Sequence, residues 1–96
     1  MNIKKIYAEE LESEINRLET EKNRAEQEYE TLIHKQNDLE AEIEFHEKEE
    51  DISIESTQKL NKKYSELLNQ INELKNRIDL MDEDIQNKGD ELAEIE

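Results

Sequence analysis

From Leu11 onward the apolar residues of this chain step alternately by four and three, with no stutter and no proline to interrupt them. With Ile15 taken as an a position, the a series is Ala8, Ile15, Lys22, Tyr29, Gln36, Ile43, Glu50, Thr57, Tyr64, Ile71, Ile78, Ile85 and Leu92. The d series is Leu11, Leu18, Ala25, Leu32, Leu39, His46, Ser53, Leu60, Leu67, Leu74, Met81, Lys88 and Ile95. A repeat of this kind lays a narrow apolar stripe along an α-helix, and such a stripe is buried only against another helix. The outer b positions include Asn16, Asn23, Glu30, Asn37, Glu44, Asp51, Gln58, Asn72, Asp79 and Gln86, a wet stripe. Strong helix formers (Glu, Lys, Leu, Gln) fill most of the remainder.

Composition narrows the choice without making it. Hydrophobic residues reach only 32%, with one Phe and no Trp, while 43% are charged and the net charge is −15. Those values fit an acidic disordered chain or a long solvated helix, and exclude a thick globular core. The sustained heptad decides for helix. An all-α coiled coil is therefore expected, as one domain over residues 1–96.

The seam fails at four consecutive positions near the middle: His46, Glu50, Ser53 and Thr57. Weaker helix formers cluster there (Ile52, Ser53, Ile54, Ser56 and Thr57), as is usual at caps and turns. The break leaves arms of nearly equal length. An antiparallel two-helix hairpin follows, with helix 1 over about 3–48, a turn over about 49–55 and helix 2 over about 56–95. The alternative is one continuous helix in a parallel dimer, supported by the unbroken phase and by the lack of Gly, Pro or Asn in the turn.

Pairing separates the two. Folding between Asp51 and Ile52 sets Ile43 against Leu60, Leu39 against Tyr64, Leu32 against Ile71, Ala25 against Ile78, Lys22 against Met81 and Leu18 against Ile85. It also pairs Glu28 with Arg77, Glu26 with Lys75, Glu42 with Lys63 and Ile33 with Leu68. The parallel dimer stacks Lys22, Glu50 and Lys88 each on its own copy. The apolar match of Ile33 with Leu68 weighs more than the charges, because burying such a side chain contributes roughly 1.5–3 kcal/mol and an exposed ion pair about 0.2–1. Hairpin is the expectation. Because Ile33 and Leu68 widen the stripe, two hairpins are expected to pair into a four-helix bundle. Phe45, Ile52 and Ile54 would cover the turn or touch a partner.

The helix–helix interface is assigned to Leu11, Ile15, Leu18, Ala25, Tyr29, Leu32, Ile33, Leu39, Ile43, Leu60, Tyr64, Leu67, Leu68, Ile71, Leu74, Ile78, Met81, Ile85 and Leu92. A partner surface is assigned to Glu12, Glu19, Asp79, Asp82, Glu83 and Asp84, where folding back brings acidic stretches of both arms together. It sets Glu14 near Glu91, Glu19 near Asp82 and Glu21 near Asp84. Repulsion there should be relieved by salt or by a basic protein surface. Gly89 reads either as the C-cap of the second helix or as a glycine tolerated inside it.

Catalytic chemistry has little to work with. The chain has no cysteine, which excludes disulfides, thiol catalysis and thiolate metal sites. Glu30 with His34, and Glu42 and Glu50 with His46, share helix faces, but neither set completes a zinc shell. The stretch "DEDIQNKGDELA" opens like a calcium loop, yet Asn87 stands where glycine is needed and Ala93 where the closing Glu is needed. No enzyme, cofactor or metal is expected. "MNIKKIYAEE" is not followed by a signal-peptide apolar run, and no window reaches the roughly 18 apolar residues of a spanning helix. The expectation is a soluble, intracellular, cytoplasmic protein that binds neither membrane nor nucleic acid directly, since its acid excess repels phosphate.

Three functions fit. The first is a structural, scaffold or adaptor module that associates with protein, itself included, as a homodimer. The second is an acidic inhibitor, or nucleic-acid mimic, of a basic nucleic-acid-binding protein. The third is a holdase-like hairpin chaperone, for which Ile33, Leu68, Phe45, Ile52 and Ile54 supply the available apolar surface.

Overall fold

The computed structural model describes residues 2–49 and 53–95. It consists of two α-helices, α1 (Ile3–Glu47) and α2 (Ile54–Ile95), with no strand among the described residues. The helices pack against each other as a hairpin. The reversal expected between Asp51 and Ile52, and the Glu50 position of the seam, lie outside the described residues.

The limits of both helices follow from local chemistry. The amides of Lys48 and Glu49 each bond back three residues, to the carbonyls of Phe45 and His46 at 3.2 Å, so α1 ends in a tightened last turn. Ser53 starts α2. Its Oγ accepts the amide of Ser56 at 3.0 Å, and its carbonyl accepts the amide of Thr57 at 3.2 Å. This is an N-cap, and a Ser cap is worth about 1 kcal/mol. It places the start at Ile54, two residues before the expected 56, because the serine that weakens the seam is the residue that satisfies the first-turn amides.

Two compact units divide the chain, each containing stretches of both helices: a terminal unit, Met1–Gln27 with Asn76–Glu96, and a central unit, Glu28–Lys75. In the terminal unit Lys22 meets Asp82 and Lys88 meets Glu14, so α2 numbers fall as α1 numbers rise and the helices run antiparallel. The same holds in the central unit, where Tyr64 donates to Glu40 and one small cavity is lined by Ile43 and Leu60 together with His46 and Thr57.

Register is the same in both. The midpoints in residue number of Lys22–Asp82, Glu14–Lys88 and Glu40–Tyr64 are 52, 51 and 52. This is the register in which a positions face d positions, and burial follows it. Apart from the cap residue Ser53, every described a and d side chain is buried or half-buried. Among the described residues no side chain is fully buried, so the core is thin even where it is best packed.

Gly89 lies inside α2 without a positive φ, so it is an interior glycine and not a C-cap. The open space around it explains the tolerance: a Cβ built there meets nothing within 4 Å.

Candidate interaction surfaces

Heptad phase determines how deep each interface residue sits. Leu11, Leu18, Ala25, Leu60, Leu67, Ile71 and Leu74 are buried. Ile15, Tyr29, Leu32, Ile33, Leu39, Ile43, Tyr64, Leu68, Ile78, Met81, Ile85 and Leu92 are half-buried. In the terminal unit the buried members all come from α1, and in the central unit all come from α2. Ile33 and Leu68 are both e positions, which flank the same side of an antiparallel pair. Each keeps part of its surface in water.

The acidic surface divides by exposure. Glu12, Glu19, Asp79, Asp82 and Glu83 are exposed, whereas Asp84 is half-buried. Asp82 and Asp84 are engaged by lysines of the seam itself. Lys22 Nζ sits 2.5 Å from Asp82 across the pair and 3.7 Å from Glu26 one turn along its own helix. Lys88 Nζ repeats the arrangement, 3.6 Å from Glu14 on α1 and 3.0 Å from Asp84 on α2. Their side chains are 26% and 24% exposed, so the stems run along the seam and the ammonium groups emerge at its edge. Both ammonium groups titrate above the ordinary lysine value, first because of the hydrogen bonds to Asp82 and Asp84; burial acts next in the opposite direction, and nearby carboxylate charge adds to the rise.

Two tyrosines close the pair at its flanks. The Tyr7 hydroxyl donates to Glu91 in the terminal unit, and the Tyr64 hydroxyl donates to Glu40 at 2.8 Å in the central unit. Each carboxylate acceptor holds its phenol in the protonated form, so both titrate above the usual tyrosine value.

The sequence sets Lys22 opposite Met81 and makes Lys22 and Lys88 unfavourable only in a parallel dimer; the structure adds their clamping role. The signal was present: each seam lysine has an acid four residues away on its own helix, Glu26 or Asp84. Glu14, expected near Glu91, lies with it close to Tyr7 and also reaches Lys88 at 3.6 Å. Glu42 and Lys63, expected to pair, are both exposed.

At the central unit's far end, His46 has a buried Nε2 with no hydrogen-bond partner, while Nδ1 lies 3.9 Å from Glu49. It lines a cavity of about 70 Å³ with Ile43, Glu47, Thr57, Leu60 and Asn61. Phe45 and Ile54 are 66% and 78% exposed; Ile52, expected beside them, lies outside the described residues. Two larger grooves lie on the terminal unit: one of about 420 Å³ along Lys4, Lys5, Ala8, Glu12 and Ile95, and one of about 380 Å³ along Asp79, Asp82, Glu83 and Gln86. Both are open to solvent.

Among the described residues no group of three or more His, Cys, Asp or Glu side chains is placed to hold a metal ion. The set built on Glu50 lies partly outside them. No described helix is long and apolar enough to cross a membrane. Compared with known proteins, the chain matches no family model, no curated protein and no solved structure.

Proposed function

We propose that this chain is a non-enzymatic coiled-coil protein that mediates protein–protein association as a structural, scaffold or adaptor module, and that it pairs with a second copy of itself. The observation that carries this reading is the incomplete burial of the seam. Its apolar stripe is wider than one helix pair covers, with Ile33 and Leu68 half-buried on one flank of the central unit. A second hairpin laid on that flank would remove this surface from water and thicken the core toward a four-helix bundle.

Sedimentation equilibrium over a range of concentration and salt tests the proposal. A two-chain mass that persists at high salt is the expected result. Ile33→Ser with Leu68→Ser should return the mass to one chain while the circular dichroism stays helical. A one-chain mass at every concentration would overturn self-association.

The acidic-inhibitor reading draws on the exposed carboxylates Glu12, Glu19, Asp79 and Glu83. It predicts capture of a basic protein that weakens steeply as salt is raised. The engagement of Asp82 and Asp84 within the hairpin leaves fewer groups for such a partner, so association through apolar surface is preferred.

A further inference from the structure

We propose that Lys22 and Lys88 form a register lock that makes one alignment of the two helices better than those one heptad away. A seam of repeated Ile and Leu cannot do this alone, because moving one helix by seven residues sets apolar positions against apolar positions again. In the observed register Leu18 lies across from Ile85, with the Lys22 layer on one side of it and the Lys88 layer on the other. Each lysine finds one acid on its own helix and one across the pair.

Sliding α2 by one heptad in either direction leaves the same-helix acids in place and takes the cross-helix acid away from Lys22. In one direction Lys22 falls beside Lys75 instead of Asp82, and Lys88 falls beside Tyr7 instead of Glu14. In the other, Lys22 and Lys88 enter a single layer facing each other and Gly89 replaces Asp82, so Lys22 has no cross-helix acid although Glu21 takes the place of Glu14 beside Lys88. Like charges brought together at a half-buried seam are disfavoured, whereas the observed alignment gives both ammonium groups short contacts to carboxylates. The two clamps leave the seam by opposite flanks, since Asp82 is an e position and Glu14 a g position. Rotation of one helix that improves one clamp therefore stretches the other.

The chain has no cysteine, so disulfide trapping reads the register directly. Three double substitutions in the full chain serve as rulers: Leu18→Cys with Ile85→Cys for the observed register, and Leu18→Cys with Ile78→Cys or with Leu92→Cys for the two slipped ones. With the native lysines, only the first pair should close within one molecule under mild oxidation. In a Lys22→Met, Lys88→Met background the slipped pairs should also close, rising from background to yields comparable with the first. A Lys22→Arg, Lys88→Arg background keeps the charges and should again close only the first. Should the Met background lose helicity, Lys22→Gln with Lys88→Gln replaces it. Slipped pairs that stay open in the helical uncharged background would overturn the proposal.

Discussion

The two units are built from one heptad yet held together differently. The terminal unit buries Leu11, Leu18 and Ala25, then closes with two lysine clamps and the Tyr7–Glu91 bond. The central unit buries four side chains from one helix, Leu60, Leu67, Ile71 and Leu74, against half-buried residues of the other, with one flanking bond from Tyr64. Its polar irregularity is His46, whose Nε2 is buried without a partner. The contrast shows how a thin coiled coil divides two tasks. Apolar depth supplies stability without specifying alignment, whereas charge at the seam supplies alignment and is sensitive to pH and salt.

The comparison can be broken first at a buried residue of the central unit. Ile71→Ala should cost about 2–3 kcal/mol, the lower part of the range for such truncations, because the thin core lets water reach part of the site. Ile85→Ala, half-buried in the terminal unit, should cost less. Urea unfolding followed by circular dichroism measures both; an equal or larger loss at Ile85 would remove the distinction between the units.

Alkaline titration sharpens it. Lys22, Lys88, Tyr7 and Tyr64 all have folded-state values above their unfolded ones, so each stabilises the fold at pH below its unfolded value and loses that contribution as pH rises through its folded value. Three of the four belong to the terminal unit. Above the ordinary lysine value of 10.5, spin labels at positions 18 and 85 should separate before labels at 39 and 64 do. Simultaneous loss at both pairs would count against the division. The ammonium groups emerge at the edge of the seam, so added salt should reduce the effect.

The smallest expected change is a gain. Gly89→Ala places a methyl group in open space on a continuous helix and should stabilise the terminal unit by about 0.5–1 kcal/mol. A thermal midpoint that falls would show that the glycine serves something other than the helix.

Most of the fold was legible because its signals are local. Heptad phase marked which side chains leave solvent, and it held even at Gln36 and Thr57, polar residues that are half-buried as their a positions require. Ser53 was readable as cap material, although its position fixed the start of α2 two residues earlier than expected. The lysine clamps were harder to see. A lysine at an a or d position is an exception to the repeat, and the carboxylate that resolves it lies 60 residues away for Lys22 and 74 away for Lys88. The unpartnered Nε2 of His46 was equally hidden, since it depends on what both helices place around one ring atom.

The amino-acid order by itself determined that this chain is helical and which stripe of each helix is apolar, because a 3.5-residue period is written within any two turns. It left open whether that stripe closes on its own chain or on a neighbour's, since a hairpin and a parallel rod require the same phase. Tertiary structure decided that by placing Asp82 beside Lys22 and Glu14 beside Lys88, contacts between residues distant in sequence that a parallel pairing would replace with lysine against lysine.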